Sequence, residues 1–180
     1  MGSLGEGATL TFEEKRAVLR TAVAALGDGV PVVAGVSALS TSEAVEIAKM
    51  AADAGCSGLM VLPPYVYVGD WREMKAHVSA VVGATGLSCM LYNNPVAYKT
   101  DFVPEQVMEL LAEHENLVAI KESSADVRRV AALRALAGHR LKILVGVDDL
   151  IFEAAMAGAV GWIAGLVNAF PAGSVGLFGG

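Results

Sequence analysis

The stretch from Leu117 to Asp149 reads LVAIKESSADVRRVAALRALAGHRLKILVGVDD and places a helical pattern between two short apolar runs. The runs Leu117 to Lys121 and Leu141 to Gly146 are rich in Val, Ile and Leu, which is typical of parallel strands buried on both faces. Val127 to Ala137 has helical spacing, and Gly138 follows where helices commonly end. A strand, a helix and a second strand in this order predict a βα unit of an α/β protein.

The same alternation continues outward along the chain in both directions. Further strands are predicted at Val30 to Gly35, Ser57 to Leu62, Leu87 to Tyr92 and Ala159 to Ala164, and further helices at Phe12 to Leu26, Ser42 to Ala54, Trp71 to Val82, Pro104 to Glu113 and Leu150 to Ala157. No long linker or charge block divides the chain, so we expect one domain. Such a series forms either an open doubly wound sheet or most of a closed (βα)8 barrel, and periodicity does not decide between them.

Composition and charge narrow the class of protein. The chain has 180 residues, of which 54% are hydrophobic and 18% charged, which is enough apolar material for a folded core. A net charge of -6 without a basic run argues against nucleic acid as a partner. No apolar segment reaches the roughly 18 residues of a membrane span and no signal pattern opens the chain, so the cytoplasm is the expected location. Cys56 and Cys89 lack metal or disulfide spacing and are predicted to be buried thiols.

Polar residues appear abruptly where the predicted strands end, and in a barrel those ends converge on one mouth. Lys121 ends a buried run, and a desolvated lysine has a population of neutral amine that attacks a carbonyl to form a Schiff base. Its alternative role is an ion pair with Glu122 or with another carboxylate at the strand end. Tyr92 ends the preceding strand, where its phenol either transfers protons beside Lys121 or caps the core.

Two other segments offer binding groups. The loop Gly2 to Gly7 is glycine-rich and precedes a helix, so its backbone N–H groups are suited to an anion such as a carboxylate. Asp148 and Asp149 follow a strand, where they bind substrate hydroxyls, cap the next helix or hold a metal. A metal is the least favoured of these, because no third ligand stands at suitable spacing. The three histidines, including His77, are expected to be solvated or to cap helices.

In combination, the motifs resemble the dihydrodipicolinate synthase/N-acetylneuraminate lyase family of class I pyruvate aldolases. The resemblance covers essentially the whole chain in the family's order. Its motifs are Gly2 to Glu6 followed by Ala8-Thr9-Leu10, then Tyr92-Asn93-Asn94-Pro95, then Ile120-Lys121-Glu122, then Gly146-x-Asp148-Asp149. The resemblance implies a (βα)8 TIM barrel whose Lys121 forms a Schiff base with pyruvate or another small-molecule 2-oxo acid, with no cofactor and no metal.

The resemblance also implies roles for the remaining site residues. Tyr92 carries protons to and from the intermediate, and Ser3 matches a relay position. The amides around Leu4 and Gly5 match the pocket for the 2-oxo acid carboxylate. Gly146, Asp148 and Asp149 match the family's substrate-binding motif, in which the two aspartates resemble the acidic pair that binds polyol hydroxyls.

Four positions depart from the family pattern. Leu4 replaces a hydroxyl residue at the carboxylate pocket, and Ala97 stands where the synthases carry an arginine for their second substrate. Val66, between Tyr65 and Tyr67, takes the place of a tyrosine that the synthases borrow from a neighbouring subunit. Gly165 replaces a serine of the sialic acid lyases. We therefore expect a lyase, aldolase or dehydratase for a different 2-oxo acid, such as a deoxy sugar acid or a hydroxyproline-derived compound, rather than a true dihydrodipicolinate synthase.

Length adds a further expectation, because a (βα)8 barrel takes at least ~200 residues and this chain has 180. The first motif belongs at the end of the family's second strand, and an eighth helix is predicted to begin at Ala172 to Phe178. Residues 1–180 are thus expected to be a single incomplete barrel that lacks the first strand and helix and the C-terminal helices. The full-length form is expected to be a homo-oligomer, a dimer or tetramer. The alternatives are a non-catalytic 2-oxo acid binding module, an inactive fragment, or a metal-dependent enzyme using Asp148 and Asp149.

Overall fold

Six parallel strands form one sheet in the part of the chain that the structure describes. The computed structural model of this protein describes residues 1–2 and 5–179. The strands are β1 Val33–Val36, β2 Gly58–Val61, β3 Ser88–Asn93, β4 Leu117–Glu122, β5 Lys142–Val145 and β6 Gly161–Trp162. Each strand pairs with the next one in sequence, in the order β1-β2-β3-β4-β5-β6. A doubly wound sheet reverses its strand order at a switch point, so this sequential order excludes that alternative and matches consecutive strands of a (βα)8 barrel.

Helices connect the strands and cover one face of the sheet. Their bounds are α1 Phe12–Leu26, α2 Thr41–Asp53, α3 Trp71–Val82, α4 Pro95–Tyr98, α5 Pro104–Glu113, α6 Arg128–Ala137, α7 Ile151–Met156 and α8 Pro171–Gly179. Short 3₁₀ turns lie at Gly27–Gly29, Asp148–Leu150 and Leu166–Asn168. The helical segments predicted from the sequence agree with α1, α3 and α5 at both ends and with α2, α6 and α7 to within one residue at each end.

The predicted helix signals are present as hydrogen bonds. Thr11 caps α1 in a capping box with Glu14, and Ser40 accepts the amide of Glu43 at 3.2 Å to cap α2. Gly55 and Gly138 have φ values of +87° and +56°, where a side chain would strain the backbone after each helix. Each capped end satisfies donors or acceptors that a helix leaves unpaired.

Strand residues alternate between the two faces of the sheet. Leu59, Leu91, Ile120 and Ile143 are fully buried toward the helices and belong to the main hydrophobic core. Residues one position away, such as Met60 and Lys121, are half-buried on the opposite face. The helix face therefore stabilises the fold by apolar burial, and the other face is left to line a cavity.

Three expectations need correction, and one short helix was missed. The first strand begins at Val33 rather than Val30, because Val30 and Pro31 are exposed and Pro31 has no N–H for a ladder. The sixth strand spans only Gly161–Trp162 rather than Ala159 to Ala164, because only these two residues are in register with β5. The four-residue helix α4 was not predicted. His77 is buried rather than solvated, with Nδ1 2.9 Å from Thr41 Oγ1 and Nε2 3.3 Å from the Leu62 carbonyl.

Both cysteines are free and buried, as predicted. Burial in apolar surroundings raises the pKa of the Cys89 thiol to about 11 and also raises that of Cys56. Within the described residues, no helix is long and apolar enough to cross a membrane.

Candidate active site

Lys121 and Tyr92 are direct neighbours across the β3–β4 ladder. Both stand near the carboxyl ends of their strands, and the parallel register pairs them with each other. The ammonium of Lys121 lies 4.4 Å from the centroid of the Tyr92 ring, which is within the range of a cation–π contact. The structure thus brings together the two residues that the sequence analysis placed at the centre of the chemistry.

Lys121 does not use its neighbour Glu122 as an ion-pair partner. The two side chains point to opposite faces of β4, and Glu122 accepts hydrogen bonds from Asn93 Nδ2 at 3.0 Å and from the Ser124 amide at 2.6 Å. Among the described residues, no salt bridge to Lys121 is formed. The alternative of a structural pair with Glu122 is therefore wrong, and the amine faces the cavity.

A network on the helix side of the sheet holds the ends of β3 and β4 together. Asn93 donates to Glu122 and also to Asp101 Oδ1 at 3.3 Å, and Asp101 pairs with Arg129 at 2.6 Å. Asn93 and Glu122 are register partners one step beyond Tyr92 and Lys121. Burial raises the pKa of Glu122, although its hydrogen bonds from Asn93 and Ser124 act in the opposite direction. These contacts fix the strand ends that carry the candidate catalytic groups.

Lys121 borders a cavity of about 530 Å³, which is large enough for a small metabolite. Its lining is Met1, Gly2, Gly5, Met60, Tyr92, Asn94, Lys121, Gly146, Asp148, Ala164, Gly165 and Asn168. The lining residues include the amine of Lys121, the phenol of Tyr92 and the carboxylate of Asp148, together with the side-chain amides of Asn94 and Asn168. A second cavity of about 470 Å³ beside Trp162 and Phe178 is lined by apolar residues and Ser174, without an ionisable side chain, so it does not share this chemistry.

Gly146 leaves room for the Lys121 side chain. A Cβ at Gly146 would lie 2.6 Å from Lys121 Cε and would also overlap Ser123 Oγ. The Ser123 hydroxyl is buried and has no hydrogen-bond partner in the described part of the chain. A side chain at residue 146 would therefore push the lysine out of its place.

Asp148 lies in the cavity wall and organises it. Its Oδ1 accepts the Gly165 amide at 3.1 Å and its Oδ2 accepts the Leu166 amide at 2.9 Å. This ties the loop after β5 to the loop after β6. Asp149 is exposed and is not among the described residues that line the cavity. Binding of substrate hydroxyls by either residue stays a prediction.

The N-terminal loop reaches the cavity through Gly2 and Gly5. The Gly5 amide donates to the Gly2 carbonyl at 3.0 Å, so the turn itself already employs that N–H. Ser3 and Leu4, which the sequence analysis assigned to the proton relay and the carboxylate pocket, lie outside the described residues. Their roles, and that of Gly5, stay predictions.

Two residues in or beside the cavity have contacts that the sequence analysis did not anticipate. Asn94 donates from Nδ2 to the Tyr92 phenol oxygen at 2.9 Å, and Ser123 packs beside Lys121 as described above. Asn94 belongs to the polar cluster after β3, which was a usable signal. Ser123 follows β4 two residues after Lys121, so strand alternation places it on the same face.

Comparisons with known proteins show which family and which solved structures the chain is similar to. Residues 1–179 match the model of the dihydrodipicolinate synthetase family. A 4-hydroxy-tetrahydrodipicolinate synthase of Clostridium perfringens is 35% identical over 170 residues, which is 94% of this chain and 58% of that protein. The chain therefore spans less than two thirds of the length of the curated relatives it matches.

The solved structures that the chain resembles include enzymes of the same name. The dihydrodipicolinate synthase of Aquifex aeolicus superposes with a TM-score of 0.94 at 30% identity, over 98% of this chain and 60% of that one. The chloride-inhibited dihydrodipicolinate synthase of Acinetobacter baumannii, complexed with pyruvate, has a TM-score of 0.89 at 31% identity, over 94% of this chain and 58% of that one.

Proposed function

Because the chain belongs to the dihydrodipicolinate synthetase family, we propose that it forms a Schiff base with pyruvate or a related 2-oxo acid and acts as a class I lyase, aldolase or dehydratase. The observation that carries this proposal is the position of Lys121, whose amine faces the cavity 4.4 Å from the Tyr92 ring without a carboxylate partner among the described residues. The pyruvate complex of the Acinetobacter baumannii structure supports the choice of ligand class.

The proposed reaction begins with attack by the neutral amine of Lys121 on the ketone carbon of the 2-oxo acid. Proton transfer to the former carbonyl oxygen lets it leave as water, and a protonated imine remains on the lysine. The imine then accepts the electron pair released when a proton or a carbon–carbon bond at the adjacent carbon is lost, which gives an enamine. Tyr92 supplies and removes the protons in these steps, since its phenol borders the same cavity.

The binding roles are proposed from the family resemblance, together with the position of Asp148 in the cavity wall. We assign the 2-oxo acid carboxylate to the backbone amides around Leu4 and Gly5, and the proton relay to Ser3. The distal hydroxyls of the substrate are assigned to Asp148 and Asp149. Asp148 keeps acceptor capacity beyond its two backbone donors, because an ionised carboxylate has about four lone-pair sites. Gly146 provides the space beside Lys121.

The second substrate is proposed to differ from that of the named synthases. Ala97 replaces their arginine, and in the structure this residue is exposed on α4 and is not among the described residues that line the cavity. The relatives that the chain matches carry the synthase name, and the prediction of a different 2-oxo acid rests on Ala97 and Gly165. A deoxy sugar acid or a hydroxyproline-derived compound is the proposed class.

We propose that the protein is a homo-oligomer in the cytoplasm. Each subunit is proposed to contain one (βα)8 barrel domain that includes residues 1–180. The sequential order of the six strands supports the barrel. The free cysteines are typical of a reducing compartment. Val66 is 96% exposed, which supports contact of its loop with a second copy of the chain.

Borohydride trapping tests the proposal. The protein is incubated with each of a panel of 2-oxo acids and sodium borohydride, and intact mass is followed by peptide mapping. We expect one reduced imine on Lys121, lost in Lys121→Ala and kept in the control Lys142→Ala, whose side chain is exposed on the next strand. The absence of an adduct in folded protein would contradict the proposal, and an adduct without turnover would favour the non-catalytic binding module.

A further inference from the structure

Asn94 holds two groups at once. Its Nδ2 lies 2.9 Å from the phenol oxygen of Tyr92, and its Oδ1 accepts the backbone N–H of Ala97 at 3.0 Å as the N-cap of α4. Asn94 also lines the cavity beside Lys121. The side chain thus connects the first turn after β3 with the oxygen atom that the proposed function uses for proton transfer.

The orientation of this amide is set by its backbone contact. An amide N–H of the main chain can only donate, so the atom of Asn94 that faces Ala97 must be the carbonyl oxygen. The NH₂ group is then the one that faces Tyr92. Since an NH₂ group only donates, the phenol oxygen is the acceptor, and its own proton must point elsewhere.

The ring of Tyr92 is held as firmly as its oxygen. Tyr92 is 7% exposed, and Tyr98 packs edge-on against it with 5.8 Å between ring centroids. With the ring fixed and one acceptor direction occupied by Asn94, the hydroxyl hydrogen takes the other direction in the ring plane, away from Asn94. Tyr92 and Asn94 both line the cavity, and the Lys121 ammonium lies over the face of the ring. After the proton has been given away, the phenolate keeps the Asn94 N–H as a charge-assisted hydrogen bond, which is stronger than the neutral one.

We propose that Asn94 is a positioning residue that aims the Tyr92 hydroxyl proton into the cavity and stabilises the phenolate left behind. The inference rests on the proposed function for its catalytic consequence, but the hydrogen-bond arrangement can be measured without turnover. It assigns to the second asparagine of the Tyr92-Asn93-Asn94 cluster a task distinct from that of the first, which holds Glu122 on the helix side of the sheet.

Asn94→Asp is the discriminating variant. Aspartate caps a helix as well as asparagine does, so α4 is retained, but its carboxylate only accepts and would draw the Tyr92 hydroxyl proton away from the cavity. We expect kcat with the best 2-oxo acid substrate to fall by roughly 10- to 100-fold with little change in KM, which is part of the ~10²–10⁴-fold that general acid–base catalysis contributes. If α4 capping were the only role of Asn94, this variant would retain wild-type kcat.

A double-mutant cycle with Tyr92→Phe tests whether Asn94 acts through the phenol oxygen. In the Tyr92→Phe background that oxygen is gone, so Asn94→Asp is expected to cause no further loss in kcat. An equal loss in both backgrounds would overturn the proposal. Val96→Ala is the matched control, because Val96 lies on the same short helix, is 62% exposed and is not among the described cavity-lining residues.

The hydrogen bond itself is measured on protein labelled with ¹³C at tyrosine Cζ, with the Tyr92 resonance assigned by its loss in Tyr92→Phe. We expect Asn94→Asp to shift that resonance and Val96→Ala to leave it in place. An unchanged Tyr92 resonance in Asn94→Asp would overturn the proposed arrangement. Failure of the proposed function would instead appear as a missing borohydride adduct on Lys121, whatever the spectrum shows.

Discussion

Gly146→Ala places one methyl group against the side chain of Lys121, the candidate nucleophile. The new Cβ would lie 2.6 Å from Lys121 Cε and 3.2 Å from Lys121 Cγ, and it would overlap Ser123 Oγ. The contact with Cε is about 0.8 Å short of ordinary van der Waals distance, so the lysine must move by nearly that much. All the overlapped atoms belong to side chains, which can rotate, so the expected cost in folding stability is at the lower end of the ~1–3 kcal/mol typical of overpacking.

The effect on chemistry is expected to be larger than the effect on stability. A displacement of about 1 Å at a reacting group costs on the order of 100-fold in rate. The assay is the rate of borohydride-trapped pyruvate adduct on Lys121, compared with the urea midpoint of the same variant. Gly173→Ala is the matched control, because a Cβ there meets nothing within 4 Å. A folded Gly146→Ala variant that traps pyruvate at the wild-type rate would refute the packing described for this wall.

Three further outcomes are expected. Val66 is 96% exposed and has φ +76°, in the left-handed region that strains a residue other than glycine. Val66→Gly removes this strain and is expected to raise the free energy of unfolding by about 1 kcal/mol, so a lower urea midpoint would contradict the prediction. Burial raises the pKa of Glu122 above its usual value of 4.5, so between the unfolded and the folded pKa the folded chain binds more protons than the unfolded chain. The urea midpoint of the wild type should therefore fall relative to that of Glu122→Gln as the pH rises above 4.5, and a pH-independent difference would refute this. Burial raises the pKa of Cys89 to about 11, so Cys89 is expected to react with a disulfide reagent at pH ~8 only after unfolding, and rapid labelling of the native chain would contradict that.

The sequence was sufficient to predict most of the elements, because the signals that define them are local. Helix α1 begins at a capping box that two residues encode, and β4 begins with the apolar run Leu117 to Ile120. The choice between a barrel and a doubly wound sheet was not local, since it depends on which strands pair. Pairing in sequential order decided it in the structure.

Parts of the candidate site could be predicted for the same reason. Lys121 and Tyr92 both end apolar runs, and parallel strands bring such ends together. The contact between Asn94 and Tyr92 depends on a four-residue helix that has no periodicity to detect. The separation of Lys121 from Glu122 follows from strand alternation, but the partners of Glu122 come from β3 and from the turn after β4 and could not be read from its neighbours in sequence.

Exchange of the methyl protons of pyruvate with D₂O, followed by NMR, tests the central claim most directly. Exchange requires both an imine on Lys121 and a group that moves the proton, which the account assigns to Tyr92. The account predicts exchange with the wild-type protein, none above background with Lys121→Ala, and slow exchange with Tyr92→Phe. Exchange at the wild-type rate with Lys121→Ala would contradict it.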